Sequence, residues 1–180
     1  MGPEEHGGHC EIEFDGLEIH DAHRLMEVGE GMKAVQIRLG TARLTHCMRW
    51  TGLAKRSLEI AGAYVKERES FGTKLAEHEG VQWLLGEAAM QIEIGRLLVM
   101  KAAWDKDNGN NYDLSGAMAK LYASQTAMDV SVEAVQVHGG NGYVKEYHVE
   151  RLMRDAKITQ IYEGTSEIQK IVISRSLLRD

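Results

Sequence analysis

The chain has 180 residues, of which 43% are hydrophobic and 27% are charged, and its net charge is -6 at pH 7. This length supports one domain with a sizeable core and excludes two large domains. The negative net charge, without a cluster of Lys and Arg residues, argues against nucleic acid and anionic membranes as partners. No apolar run approaches the ~20 residues of a spanning helix, and the first residues lack the pattern of a signal peptide, so we expect a cytoplasmic protein.

The sequence also excludes several kinds of site. Cys10 and Cys47 stand apart without CxxC spacing, which argues against a disulfide framework. The chain has no Glu-x-x-His pair, the motif of helical di-iron proteins, and we expect no metal site. Gly139, Gly140 and Gly142 follow a predicted helix instead of a strand and miss the GxGxxG spacing, which excludes a Rossmann dinucleotide site.

The N-terminal part is predicted to form a β-hairpin. Residues 10–14 and 17–19 alternate polar and apolar side chains on either side of Asp15-Gly16, a strong two-residue turn signal. We assign residues 1–28 to a lead-in with this hairpin, which would be the stub of a larger β-domain. Residues 29–180 are assigned to a helical domain.

The period becomes helical from residue 31 onward. A first helix should end near residues 69–70, a second should start near His78 and stop at residue 107, and a third should run from an Asp113 cap to an αL cap at Gly139-Gly140. A short helix over residues 149–155 and a last one from Ser166 follow. The positions that should face the core are Leu44, Cys47, Thr51, Ala54, Leu58, Ala61 and Val65 in the first helix, Val81, Leu84, Leu85, Ala88, Ile92, Gly95, Val99 and Ala102 in the second, and Leu114, Met118, Leu121, Met128, Val132 and Val135 in the third. This pattern predicts an all-α antiparallel four-helix bundle.

Glu163 is the candidate catalytic residue. It stands between the apolar pair Ile161-Tyr162 and a Gly-Thr turn, where a carboxylate loses hydration and gains affinity for a proton. Such a group can act as a general base. The structural alternative is that Glu163 only faces the first turn of the next helix, where Ser166 and Gln169 match a capping box.

The glycine segment 136–142 (QVHGGNG) and Glu163 are interpreted as one functional corner. The segment follows a helix C-terminus, whose dipole is negative, so an anion there needs a cation from elsewhere. Arg68, at the end of the first helix, could supply that charge. Its alternative role is to complement the dipole of its own helix.

Four motifs in this order resemble the C-terminal half of an acyl-CoA dehydrogenase. They are Arg68-x-x-Phe71-Gly72, the glycine segment, residues 151–157 (RLMRDAK) and residues 161–169 (IYEGTSEIQ). The resemblance runs from about residue 10 to the end of the chain. It implies a four-helix bundle, FAD bound across a subunit interface, a homo-oligomer (dimer or tetramer), and electrons passed from acyl-CoA to an electron-transfer flavoprotein.

The resemblance also implies roles for single residues. Glu163 matches the base that removes the acyl α-proton while a β-hydride passes to the flavin. Some branches place the base at the position of Ala42, which cannot titrate, and this favours Glu163. The residues implied in FAD binding are Arg68, Phe71, Glu79, Gln136, Val137, His138, Gly139, Gly140, Thr165, Ser166 and Glu167. Those implied in binding acyl-CoA are Gly40, Thr41, Ala42, Arg43 and Gly164.

Two departures from the family pattern bear on these roles. Glu79 and Glu167 stand where many relatives have Gln, and a carboxylate near cofactor phosphates repels them unless it is protonated or paired. Relatives also carry an N-terminal helical domain and a middle β-domain. We therefore expect this chain to be a fragment that neither holds FAD tightly nor turns over substrate alone. The alternative functions are an acyl-CoA oxidase of the same fold and a non-catalytic oligomerisation bundle.

Overall fold

The structure is a computed structural model that describes residues 10–178. Its order is α1 (Gly31–Glu67), β1 (Glu69–Ser70), β2 (Thr73–Lys74), α2 (Glu79–Asp107), α3 (Asp113–His138), α4 (Val149–Lys157) and α5 (Ser166–Leu178). The two strands form a short antiparallel pair, and single 3-10 turns lie between several of the helices. The predicted all-α class is confirmed for the described residues. The chain divides into two compact units between Arg38 and Leu39.

The predicted N-terminal hairpin is wrong. No strand forms over residues 10–19, although the chain bends at Asp15-Gly16 and Gly16 has a φ of 60°. The apolar side chains Ile12, Phe14, Leu17 and Ile19 are 60–74% exposed. A lone hairpin gains little from its few hydrogen bonds, and without a packed apolar face it does not form. The part of the predicted lead-in over residues 1–9 lies outside the described residues.

The helical unit is held together along the predicted faces of α1 and α2. Leu44, Cys47, Ala54, Ala61 and Val65 are 0–6% exposed. Four of these five residues, all except Val65, belong to clusters that also contain α2 side chains such as Ala88, Ile92, Val99 and Ala102. The other predicted positions Thr51, Leu58, Val81, Leu84 and Leu85 are half-buried. The helical periodicity therefore identified these two core faces correctly.

The predicted core face of α3 is wrong. Val132 is 40% exposed, whereas the buried positions carry small side chains: Ala117, Ala119, Ala123, Ala127, Ala134, Ser124 and Ser131. The helix contacts α2, α4 and α5, and it shares core clusters with α1. A helix surrounded in this way must let neighbouring backbones approach closely, and small side chains allow the short interaxial distances.

The ends of α1 and α3 also differ from the predictions. Helix α1 ends at Glu67, and Phe71 (φ 54°) and Gly72 (φ 84°) form the turn between β1 and β2. Helix α3 ends at Gly139 with φ 60° and ψ −138°, which lies outside the αL region expected for its cap. Asp113 is the first residue of α3 instead of its cap, and its backbone N–H donates to Asn111 Oδ1.

Candidate active site

Glu163 lies in the turn before α5, with its carboxylate shielded from solvent. Its side chain is 9% exposed, and Oε1 lies 3.4 Å from Nε2 of His46 on α1. Its backbone has a φ of 58°, which is unusual for a residue with a side chain. The burial agrees with the expected loss of hydration, and the turn directs the carboxylate toward α1.

Three hydrogen bonds hold this turn in place. Arg43 Nε donates to the carbonyl oxygen of Glu163 over 3.2 Å. Gln169 Nε2 donates to the carbonyls of Glu163 and Gly164 over 3.4 and 3.1 Å. A Cβ on Gly164 would lie 2.5 Å from that same Nε2, and Gly164 has a φ of 90°, so only glycine fits here. The left-handed backbone at Glu163 is therefore stabilised by neighbours on both sides.

An aromatic wall surrounds the carboxylate. The His46 ring lies 5.3 Å from the Tyr162 ring and 6.0 Å from the Trp50 ring, measured between centroids. Trp50 Nε1 donates to the Tyr162 hydroxyl over 3.1 Å, and Trp50 itself is 3% exposed. These contacts exclude water from one side of Glu163. The sequence analysis named neither His46 nor Trp50, although both lie within two turns of the predicted segment 40–43.

A buried lysine lies near this wall. Lys120 on α3 is fully buried, its Nζ lies 5.9 Å from the centre of the Trp50 ring, and it has no hydrogen-bond partner among the described residues. Burial lowers the pKa of Lys120 to about 8, and burial raises the pKa of the Cys47 thiol to about 12. Sequence analysis missed Lys120 because a lone lysine on a helix normally faces solvent. Lys120 lies at helical spacing from the small residues Gly116, Ala123 and Ala127, and this spacing could have indicated that it shares their buried face.

The segment from Thr165 to Glu167 begins α5 and borders a groove. The groove has a volume of about 670 Å³ and is lined by residues that include Met118, Tyr122 and Lys170. The hydroxyl of Thr165 accepts from the backbone N–H of Ile168, so Thr165 caps α5 and the predicted Ser166–Gln169 capping box is wrong. Ser166 Oγ instead donates to the Gln160 carbonyl over 3.5 Å.

Glu167 is an exposed member of this segment. Hydrogen bonds from its own backbone N–H and from the Thr165 hydroxyl lower the pKa of Glu167. Both bonds favour the ionised carboxylate. Protonation therefore does not remove the repulsion that Glu167 would exert on a phosphate. Glu79, the other departure from the family pattern, is an exposed residue in the first turn of α2.

The glycine segment lies at the far end of α1. Tyr64 stacks on His138 with centroids 4.1 Å apart, and the Tyr64 hydroxyl accepts from Asn141 Nδ2 over 3.0 Å. His138 is 4% exposed and its Nδ1 lies 2.7 Å from the Ala134 carbonyl, so its ring is enclosed. Gly139, Gly140 and Gln136 are exposed beside it. The sequence analysis did not identify Tyr64, because no local pattern indicates that it contacts His138 and Asn141.

Arg68 and Phe71 belong to the same end. Arg68 follows Tyr64 by one helical turn and is exposed, and its backbone N–H donates to the Tyr64 carbonyl. Phe71 is 97% exposed at the tip of the strand turn. Arg68 therefore lies one helical turn from Tyr64, the residue that the glycine segment contacts.

The structure does not bring Glu163 and the glycine segment into one corner, and that interpretation is wrong. Glu163 contacts His46, whereas the glycine segment contacts Tyr64. These two α1 residues are 18 positions apart, which is about 27 Å along a helix. The sequence placed the two motifs 20 residues apart, but helix α4 and its flanking turns carry the chain from one end of α1 toward the other.

The predicted acyl-CoA segment lies on α1 beside Glu163. Arg43 reaches the Glu163 carbonyl directly. A Cβ on Gly40 would lie 2.8 Å from the Tyr112 hydroxyl, so glycine allows that tyrosine to cover the helix. Thr41 is exposed, Ala42 is half-buried, and the Ala42 carbonyl accepts from the Thr45 hydroxyl. This segment and Gly164 therefore flank the carboxylate from two sides.

Residues 10–178 lack two kinds of feature. No group of three or more His, Cys, Asp or Glu side chains is arranged to hold a metal ion. In the same part of the chain, no helix has both the length and the apolar character that a bilayer crossing demands.

Comparison with known proteins identifies the class. Residues 29–178 match the family described as acyl-CoA dehydrogenase, C-terminal domain. The chain therefore belongs to the acyl-CoA dehydrogenase family, and the resemblance inferred from the four motifs is confirmed.

Individual relatives agree with this assignment. The chain is 42% identical over 169 residues to a short-chain-specific acyl-CoA dehydrogenase of Clostridium acetobutylicum, covering 94% of this chain and 45% of that protein. It is similar to the structure of butyryl-CoA dehydrogenase from Megasphaera elsdenii, with a TM-score of 0.82, 44% identity, and coverage of 85% and 40%. It is also similar to PigA solved with FAD and proline, with a TM-score of 0.81, 28% identity, and coverage of 84% and 39%. The chain thus spans less than half the length of these proteins.

The buried lysine leads to a stability prediction. The folded-state pKa of Lys120 lies below its ordinary value of 10.5, so its charge is a penalty that is present in full below about pH 8 and disappears as pH rises to about 10.5. Lys120→Met should therefore raise the free energy of unfolding at neutral pH by roughly 1–3 kcal/mol. This gain should shrink between about pH 8 and 10.5, as measured by urea unfolding followed by circular dichroism.

Lys55→Met is the matched control, because Lys55 is exposed on the same bundle. It should change the free energy of unfolding by less than about 0.5 kcal/mol at every pH. A Lys120→Met chain that is less stable than the unaltered one at neutral pH would contradict the prediction.

Proposed function

We propose that this chain is the C-terminal domain of an FAD-dependent acyl-CoA dehydrogenase, with Glu163 as the base that removes the acyl α-proton. The observation that carries the proposal is the Glu163 carboxylate, which is 9% exposed and faces the α1 segment between Arg43 and His46. A water-shielded carboxylate next to a substrate segment is suited to proton abstraction.

We propose separate roles in this reaction for several residues of the chain. Gly40, Thr41, Ala42, Arg43 and Gly164 are proposed to contact the acyl-CoA. Arg43 and Gln169 hold the Glu163 backbone, and His46, Trp50 and Tyr162 keep water from the carboxylate. FAD, when bound, supplies the acceptor for the β-hydride. We propose an electron-transfer flavoprotein as the partner that reoxidises it.

The described residues fit FAD at two places. Thr165, Ser166 and Glu167 border the 670 Å³ groove, whose other lining residues include the aromatic Tyr122 and the basic Lys157 and Lys170. At the other end of α1, Gly139 and Gly140 are exposed and have open space around their Cα atoms, so a ligand can approach the backbone closely. The ionised Glu167 disfavours a phosphate on its own side, which supports contact there with an uncharged part of the cofactor.

The separation of these two places supports a homo-oligomer. The groove segment follows Glu163, which contacts His46, whereas the glycine segment contacts Tyr64. These two α1 residues are about 27 Å apart, which is explained if the two places contact two different FAD molecules. We propose that Arg68, Phe71, Glu79 and the segment from Gln136 through Val137 and His138 to Gly140 face the FAD of a neighbouring subunit. The helical domain over residues 29–180 would then act as an antiparallel four-helix bundle at the centre of a dimer or tetramer.

The base assignment predicts the effect of Glu163→Gln. An amide cannot accept the α-proton, so kcat with acyl-CoA should fall by about 100- to 10,000-fold. The measurement is reduction of an artificial electron acceptor by the FAD-loaded holoenzyme, with bound FAD checked by its visible absorbance. Glu146→Gln, at an exposed glutamate, should leave kcat unchanged. A Glu163→Gln holoenzyme that keeps its FAD and its kcat would contradict the assignment of Glu163 as the base.

The proposed second FAD contact predicts the effect of Arg68→Gln. Removing a charge-assisted contact to a phosphate should weaken FAD binding by about 10- to 100-fold. Fluorescence titration of the apoenzyme with FAD measures this change. Arg56→Gln, which removes an exposed ion pair with Glu59, should leave FAD affinity unaltered. Equal affinities for both variants would argue against Arg68 as an FAD ligand.

The chain alone should neither retain FAD nor oxidise acyl-CoA, because its relatives are more than twice its length and the substrate segment here is open on one side. Absorbance after desalting in excess FAD, followed by an acyl-CoA assay with an artificial acceptor, measures both properties. A yellow preparation that turns over acyl-CoA would contradict this expectation.

A further inference from the structure

One turn of α1 contacts Glu163 at two different places. Arg43 Nε donates to the Glu163 carbonyl over 3.2 Å, and His46 Nε2 lies 3.4 Å from the Glu163 carboxylate oxygen Oε1. Residues three apart on a helix lie on the same face, so both side chains leave α1 in the same direction. Arg43 therefore holds the backbone of Glu163, while His46 lies against its carboxylate.

The His46 ring is itself held in one orientation. Its side chain is 20% exposed, and the ring lies between those of Trp50 and Tyr162, with centroids 6.0 and 5.3 Å away. The hydrogen bond from Trp50 Nε1 to the Tyr162 hydroxyl ties these two rings together. Trp50 belongs to the main hydrophobic core cluster. Rotation of the imidazole would require movement of core side chains.

The surroundings of the two ring nitrogens indicate which of them carries a proton. A charged imidazole carries two N–H groups and needs two acceptors, whereas a neutral ring needs one. Among the described residues, Nε2 has the Glu163 carboxylate and the buried Nδ1 has no hydrogen-bond partner. The geometry fits a ring whose Nε2 carries a proton and faces the carboxylate.

We propose that His46 is a positioning residue, whose Nε2–H donates to Glu163 Oε1 and orients the carboxylate toward the acyl α-carbon. This inference rests on the proposed function of Glu163. An orientation error of about 1 Å at a reacting group can lower a rate by about 100-fold. His46 thus joins the rigid core, through Trp50, to the group that removes the proton.

Kinetics of the FAD-loaded holoenzyme test the proposal first. His46→Phe keeps an aromatic ring in the wall but removes the donor, so kcat should fall by about 10- to 100-fold while KM changes by less than about 3-fold. His46→Gln retains an N–H donor and should recover most of the lost kcat. His148→Gln, at an exposed histidine before α4, should have no effect. If both His46 variants keep the full kcat, the proposal is overturned.

A spectroscopic measurement tests the contact without any activity. Long-range 1H–15N NMR spectra of the 15N-labelled chain, recorded near pH 9 where imidazoles are ordinarily neutral, report which ring nitrogen carries the proton. His46, assigned from the His46→Gln spectrum, should show the Nε2–H form in the unaltered chain. Glu163→Leu should shift it toward the Nδ1–H form. An Nδ1–H form in the unaltered chain would overturn the proposal.

These outcomes separate the two hypotheses. An active holoenzyme that loses its rate in Glu163→Gln but not in either His46 variant leaves the proposed function intact and removes the role of His46. A holoenzyme that does not oxidise acyl-CoA removes the proposed function, whatever the NMR spectra show about the contact between His46 and Glu163.

Discussion

The candidate site depends on the contact between one turn of α1 and the backbone turn at Glu163. The turn requires positive φ at two successive residues, Glu163 and Gly164, and only the second is a glycine. Such a conformation at a residue with a side chain costs of order 1–3 kcal/mol and persists only when its surroundings hold it. Here the guanidinium of Arg43 and the amide of Gln169 supply that support through the Glu163 carbonyl.

The surroundings of this turn combine apolar burial with unusual charges. Lys120 and Cys47 are fully buried, and the low polarity favours the neutral form of each, which lowers the pKa of the lysine and raises that of the thiol. The Trp50 face lies close to the lysine ammonium and gives it a weak cation–π partner. A site that excludes water in this way strengthens every electrostatic interaction within it. The proposal that Glu163 accepts a proton rests on the same exclusion of water that destabilises the charge of Lys120.

The length of α1 also explains why two groups of candidate site residues lie far apart in one chain. One group surrounds Glu163 near the start of the helical unit, and the other surrounds Tyr64 near the end of α1. Within one subunit the distance between them is set by a single rigid helix. If the proposed assembly is correct, a neighbouring subunit brings the second group to a complete cofactor site, and oligomerisation becomes a requirement for catalysis.

The sequence by itself determined the helical class, the core faces of α1 and α2, and membership of the family. These follow from local periodicity and from motifs of adjacent residues, which need no knowledge of the neighbours in space. The faces of α1 and α2 each meet the core on one side, so a single apolar stripe marks them. The burial of Glu163 was also predicted, because the residues beside it in the chain are apolar.

Only the tertiary structure decided the remaining features. Helix α3 is surrounded by other helices, so its core face is made of small residues that an apolar stripe does not reveal. The predicted hairpin over residues 10–19 does not form. Polar and apolar residues alternate there, but the apolar side chains have no packing partner and stay exposed. Lys120, His46 and Tyr64 have partners 70 to 117 residues away in sequence. The separation of Glu163 from the glycine segment depends on where α4 directs the chain. Contacts between distant residues are not encoded in any local pattern, and they define this site.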